Sequence, residues 1–215
     1  MVPSQPKLWF QEHESYDDRN LSLFRKVKIN LLADSMKKSL ITIFSLLFSV
    51  NSLAALEVGD TAPDFSTQAA LAGEAFEFSL EQARSQGPVV VYFYPKAFTS
   101  GCTVQAHLFA EASDEFAQYN TTIIGVSSDE LDTLQEFSVK ECGNKFAVAA
   151  DPDSEVIKAY DVGMMLLPGM ASRISFVVAP NGEIIHVHDA RSPAGHIETS
   201  LAAVKSWSMD AETDL

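Results

Sequence analysis

Val89-Val90-Val91-Tyr92-Phe93-Tyr94-Pro95-Lys96-Ala97-Phe98-Thr99-Ser100-Gly101-Cys102-Thr103-Val104-Gln105 is the stretch on which the fold turns. Its first six residues form an unbroken apolar and aromatic run after Gly87-Pro88, which reads as a strand buried on both faces. Pro95 ends the run. A helical pattern then takes over, with Leu108, Phe109, Ala112 and Phe116 recurring at three- and four-residue spacings. Thr99 or Ser100 would cap that helix and leave Cys102 in its first turn. There the unpaired backbone N–H groups and the positive end of the helix dipole favour thiolate over thiol. From the residues alone, Cys102 is either a reactive nucleophile or an inert cysteine buried under a capped helix.

Working outward, Phe76 and Phe78 alternate with charge, as an edge hairpin strand would. Residues 121–126 form a second apolar strand, followed by Ser127-Ser128-Asp129, which can cap the next helix. That helix turns Leu131, Leu134 and Phe137 inward and stops near Gly143. A short strand over 146–149 is closed by Asp151-Pro152-Asp153, and Ser154 starts a short helix through Val156, Ile157 and Tyr160. Strands at 174–178 and 184–187 flank Ala179-Pro180-Asn181-Gly182, a hairpin signal. The last helix is expected over 196–207, with a fraying acidic tail. The order predicts one α/β domain over 55–215, a mixed central sheet flanked by helices.

Hydrophobic residues make up 47% of the 215 and charged residues 20%, a composition that can fill a core. Acids outnumber bases 29 to 15, for a net charge of -14, so the surface repels phosphate backbones and nucleic acid is not an expected partner. Two cysteines are too few for a disulfide-scaffolded mini-protein or a four-cysteine zinc site. Met36-Lys37-Lys38, an uncharged apolar run over 40–50 and Asn51-Ser52-Leu53-Ala54-Ala55 together have the form of a secretory signal peptide over 36–54, cut after Ala54. The run is shorter than the ~20 apolar residues of a membrane span, so no stable insertion is expected after cleavage. Residues 1–35 read as an upstream extension, non-native or disordered, with Met36 the true start. Removing residues 1–54, with their 7 bases and 5 acids, leaves 8 bases and 24 acids, a net of -16. A periplasmic or secreted location follows, where disulfides persist.

Pro95-x-x-x-Thr99-x-x-Cys102 resembles the active-site signature of the peroxiredoxins, cysteine-dependent peroxidases of the AhpC/TSA superfamily with a thioredoxin-like fold. Tyr94-Pro95-Lys96 and Gly101-Cys102-Thr103 resemble its Q type, the bacterioferritin comigratory protein group. The likeness runs from Gly59-Asp60-x-Ala62-Pro63-x-Phe65 through Asp151-Pro152-Asp153 and Tyr160-x-Val162 to Arg173-Ile174-Ser175-Phe176-Val177-Val178, nearly the whole mature chain. The resemblance implies that Cys102 is the peroxidatic cysteine, which becomes a sulfenic acid. Thr99 would be the hydroxyl that bonds the peroxide, Pro95 the shield from solvent, and Arg173 the cation that stabilises thiolate and transition state. It further implies hydroperoxide substrates, a thioredoxin-like dithiol reductant, no metal or other cofactor, and a monomer or homodimer.

Two positions depart from the group's pattern. Gln105 stands where many relatives carry Glu; it can still hydrogen-bond but adds no charge, so the arginine's orientation is expected to survive while the electrostatics change. His107 stands where the commonest Q-type arrangement has its resolving cysteine, so that short-range disulfide is impossible. Cys142 lies 11 residues after Leu131 and 8 after Leu134, on the inward face near the end of its helix. A minority Q-type arrangement places a resolver there. The alternatives are an inert core cysteine working with an external thiol, and a permanent structural disulfide. At the level of function, the alternatives are an exported thiol–disulfide oxidoreductase, which Cys102 disfavours because it lacks a C-x-x-C partner, and a non-enzymatic redox sensor or chaperone. His186-x-His188 reads as the exposed face of a hairpin strand, Met164, Met165 and Met170 as core filling, and Phe98 as a residue shaping access for organic hydroperoxides.

Overall fold

Successive side chains of a strand point to opposite faces, so a run with no polar residue needs an apolar layer on each side. The computed structural model, which describes residues 56–213 with side chains through 210, supplies both layers. The expectations for residues 1–35 and for a signal peptide over 36–54 lie outside the described residues. In strand β3 (Val89–Phe93), Val89, Val91 and Phe93 pack with Leu80, Ile124, Ile157, Tyr160 and Phe176. Val90 and Tyr92, with Tyr94, pack on the other face with Phe109, Phe116, Leu134, Phe137 and Phe146. Burying each large side chain is worth about 1.5–3 kcal/mol, so these two layers are the main source of stability.

Element order is β1 (Ser66–Leu71), β2 (Glu74–Ser79), α1 (Leu80–Arg84), β3, α2 (Ser100–Ala117), β4 (Thr122–Ser127), α3 (Leu131–Lys140), β5 (Ala147–Ala150), α4 (Glu155–Ala159), β6 (Ile174–Val178), β7 (Ile184–Asp189) and α5 (Ala194–Thr213). The seven strands form one mixed sheet in the order β2-β1-β5-β4-β3-β6-β7. Strands β3, β4 and β5 run parallel, β1 and β6 antiparallel to their neighbours, and β6 and β7 form the expected hairpin. Strand β2 is an edge, as its alternation predicts. Its partner β1 escapes the sequence reading because Ser66-Thr67-Gln68-Ala69-Ala70 offers only small residues to the core.

The cap assignments differ from expectation. Helix α3 starts at Glu130 as N-cap without a side-chain cap bond, because the Asp129 carboxylate is drawn into the sheet, where it accepts from Ser127 Oγ at 2.9 Å. Ser154 sits at the N-cap of α4 with φ +56 and makes no cap bond. The Asp151 carboxylate takes that role, accepting from the N–H groups of Glu155, Val156 and Ile157. Helix α5 begins at Ala194 and continues to Thr213, past the predicted end at Trp207. The methionine expectation is corrected: Met165 is 94% exposed beside exposed Leu166 and Leu167, on a loop tied at its neck by the Met164 N–H to Met170 carbonyl bond.

Candidate active site

The three parallel strands deliver their C-terminal ends to one edge of the sheet. Strand β6 enters at the same edge, since Ile174 pairs with Phe93. The loop after β3 and the residue before β6 therefore meet there, as ligand sites of open α/β sheets do. That topology brings Cys102, in the first turn of α2, to Arg173. Arg173 Nη2 donates to Cys102 Sγ at 3.4 Å, and its Nη1 donates to Gln105 Oε1 on the next turn of α2. Cys102 is 2% exposed and Gln105 fully buried. The forked guanidinium thus bridges the sulfur and its own positioning group, and Gln105 holds it without a negative charge.

Thr99 occupies the N-cap position of α2, yet its side chain does not cap the helix; Oγ1 donates to the Lys96 carbonyl at 2.9 Å. The exposed hydroxyl lies on the solvent side of the loop, and Pro95 is half-buried. Phe98 has φ +61, an uncommon left-handed conformation for an aromatic residue, and sets its ring edge-on to Phe137 at 5.2 Å.

Two contributors went unread in the sequence. Gly101 is one: a Cβ there would lie 2.9 Å from Arg173 Nη2, so the missing side chain makes room for the guanidinium. Asp129 is the other; its Oδ2 accepts from the Ala97 N–H at 2.7 Å as well as from Ser127, tying the active-site loop to the end of β4. The signal for Gly101 was its place in the quoted motif, where a side chain would crowd the first helical turn. Nothing in sequence spacing points from Asp129 to Ala97.

Cys142 lies just past the end of α3, fully buried among Tyr92, Tyr94, Phe109 and Phe137, and both cysteines are free thiols. Burial, assisted by the Glu141 carboxylate, pushes the Cys142 thiol far up. His107 Nε2 stands 2.9 Å from Glu141 Oε2, linking α2 to the residue beside Cys142.

The hairpin histidines are not on an open face. His186 and His188 point under α5, where His188 meets the His196 ring edge-on at 4.6 Å. His196 is buried with Nδ1 2.9 Å from Ser175 Oγ and Nε2 2.8 Å from the Ala190 carbonyl. A carbonyl only accepts, so Nε2 carries the proton and Nδ1 accepts from the serine. Among the described residues no group of three or more His, Cys, Asp or Glu is arranged to hold a metal ion.

The AhpC/TSA family matches residues 58–187. Peroxiredoxin Bcp of Escherichia coli (strain K12) is 34% identical over 155 residues, covering 70% of this chain and 96% of that protein. The crystal structure of peroxidoxin BcpB from Mycobacterium tuberculosis superposes with a TM-score of 0.65 at 26% identity, over 70% of this chain and 97% of that one. The structure of Xanthomonas campestris bacterioferritin comigratory protein does so with a TM-score of 0.58 at 29% identity, over 66% of this chain and 91% of that one. With a thioredoxin-like sheet, a cysteine in the first turn of α2 and an arginine fork upon it, the chain belongs to the AhpC/TSA family, among the Bcp and Q-type peroxiredoxins.

Proposed function

We infer that this protein is a thiol-dependent peroxidase that reduces hydrogen peroxide and organic hydroperoxides at Cys102. The observation that carries this reading is the Arg173 fork, with one nitrogen on Cys102 Sγ at 3.4 Å and the other on Gln105. Two sources of positive potential converge on the sulfur, the guanidinium and the N-terminal end of α2. The sulfur attacks the terminal oxygen of ROOH, the O–O bond breaks, and RO⁻ leaves as the alcohol after taking a proton. Negative charge moves from sulfur to the leaving oxygen, within reach of the same guanidinium. Thr99 contributes by turning its hydroxyl from the Lys96 carbonyl toward the peroxide, and Pro95 limits water at the sulfur. The alkyl peroxide reduction described for the Xanthomonas campestris relative supports organic substrates, and exposed Phe98 offers them an apolar approach.

The Cys102 sulfenic acid is resolved by Cys142, and a thioredoxin-like dithiol protein restores both thiols. Cys142 being the one other cysteine of the chain supports this assignment. Export through a signal peptide over 36–54 rests on the basic start, the apolar run and the small residues before Ala55. In that setting a membrane-fed thiol relay is the favoured source of electrons.

Stopped-flow consumption of hydrogen peroxide and cumene hydroperoxide, with a dithiol donor, tests the reading. The parent should turn over repeatedly and Cys102→Ser should not react; single-turnover behaviour by the parent would instead indicate a redox sensor. Cys142→Ser should keep peroxide consumption with small thiols and lose the intramolecular disulfide. A parent that peroxide oxidises without forming a Cys102–Cys142 disulfide would remove Cys142 from the cycle.

A further inference from the structure

The turn that holds Cys142 is wound tightly. Glu141 and Cys142 both donate their N–H groups to the Phe137 carbonyl, at 2.9 and 3.1 Å. The Asn144 N–H reaches the Ser138 carbonyl at 3.1 Å, and the Lys145 N–H closes on the Cys142 carbonyl at 3.0 Å. Gly143 and Asn144 both adopt positive φ, +57 and +60, to make the bend. The result is a thiol stored inward, in an aromatic pocket. Both ends of this turn are tied to α2: Glu141 Oε2 stands 2.9 Å from His107 Nε2, and Lys145 forms an ion pair with Asp114 at 3.0 Å. His107 and Asp114 are seven residues apart, two helical turns, and so share one side of α2. The position at which the sequence departs from the commonest Q-type pattern is therefore the position that grips the Cys142 segment.

We propose that the His107–Glu141 and Lys145–Asp114 pairs form a clasp that sets how often the Cys142 turn opens, and with it the rate at which the Cys102 sulfenic acid is resolved. The proposal rests on the reading of Cys142 as resolver. His107 and Lys145 are then positioning residues for the resolution step and leave the first attack on peroxide alone. A disulfide needs Cα atoms within about 7 Å, and the folded seat keeps the Cys142 thiol buried and protonated, so the turn must open before the bond can form. In the opened state Cys102–SOH and Cys142–SH give the disulfide and water: the S–O bond breaks, the S–S bond forms, and the thiol proton leaves with the hydroxide. In the closed state a second hydroperoxide competes, oxidising the sulfenic acid to sulfinic acid while ROOH becomes ROH. The clasp thus governs the partition between recycling and inactivation.

The test uses the full chain, reduced, then mixed with cumene hydroperoxide, quenched by alkylation and read by mass spectrometry for disulfide and sulfinic acid. The Lys145–Asp114 pair is exposed, so Lys145→Glu, which sets like charges against Asp114, should speed disulfide formation by roughly two- to five-fold. It should lower the sulfinic fraction in proportion. The charge-swapped Asp114→Lys/Lys145→Glu protein should return to the parent rate. High salt should speed resolution in the parent and not in Lys145→Gln, because screening acts on the Lys145–Asp114 ion pair. Equal rates in parent and Lys145→Glu, or an acceleration that the charge swap fails to reverse, would overturn the clasp. The oxidised parent separates the two readings. If peroxide consumes its Cys102 thiol without a Cys102–Cys142 disulfide forming, the resolver assignment fails and takes the clasp with it. If that disulfide forms and the charge variants have no effect, only the clasp is wrong.

Discussion

Gly101 and Arg173 occupy one space: the hydrogen that glycine carries in place of a side chain faces the guanidinium, and a Cβ would stand 2.9 Å from Nη2. The atom it would strike is the far end of a flexible side chain, so the protein can yield by moving the arginine rather than the backbone. Gly101→Ala should therefore fold with nearly unchanged stability, a small gain in helix propensity offsetting the shift. The displaced guanidinium should lower the rate of Cys102 oxidation by roughly tenfold or more, since misplacement by about 1 Å is that costly. Thermal unfolding alongside stopped-flow kinetics decides it. A lowered melting temperature with an unchanged rate would mean that the contact is structural only.

Arg173→Lys tests the fork itself. Lysine keeps the charge but presents a point ammonium, which cannot span Cys102 Sγ and Gln105 Oε1 in one planar geometry. The expected loss in the second-order rate with peroxide is on the order of 10²-fold, the size found when an aimed charge-stabilising donor is removed. Gln105→Ala, which keeps the guanidinium and removes its support, should fall between Arg173→Lys and the parent.

Two aspartates at the same sheet edge should behave differently. Asp129→Ala leaves the Ala97 N–H without its acceptor, in the loop leading to Thr99 and Cys102, and should lower both stability and peroxide rate. Asp151→Ala removes the acceptor of three N–H groups at the start of α4, costing about 1.5–3 kcal/mol, and should leave the rate per folded molecule intact. Urea unfolding and peroxide kinetics on the pair check the contrast.

Much of this was legible in the chain because the signals were local. Tyr92 and Phe93 sit in a run with no polar face, which fixes a central strand; Asn181-Gly182 fixes the β6–β7 hairpin; the break at Pro95 and the helical pattern after it put Cys102 in a first helical turn, and the resemblance gave it the role of nucleophile. Arg173 came from the resemblance alone, since nothing in its neighbourhood foretells a bond across 71 positions. The failures were of tertiary origin. Asp129 looks like a helix cap until the loop before α2 competes for its carboxylate, and Ser154 gives way to Asp151 for the same kind of reason. His186 and His188 alternate as a solvent-facing strand would, and only the packing of α5 turns that face inward. Met165 looks like core by composition and stands in solvent because its loop is closed at the neck by backbone bonds.

The buried histidine in the first turn of α5 gives the protein a specific acid sensitivity. Burial lowers His196 to about 4, against the help of the Ala190 carbonyl, and His188 and Arg173 push in the same direction as burial. The unfolded chain takes up that proton near the ordinary imidazole value of ~6.5, while the folded chain refuses it until far lower pH. Between those values the unfolded state binds more protons. The stability due to neutral His196 is thus complete above about pH 6.5 and is lost progressively toward pH 4, a loss on the order of 2–3 kcal/mol. His186, also held down by burial and by His188, adds to the loss in the same direction. His196→Asn should be less stable at neutral pH, because it gives up the bonds to Ser175 and Ala190, and its unfolding free energy should fall less between pH 7 and 5 than the parent's. Urea titrations at half-unit steps over that interval measure the difference. Parallel curves for the two proteins would show that the imidazole takes up its proton over the same pH range in the folded and unfolded states.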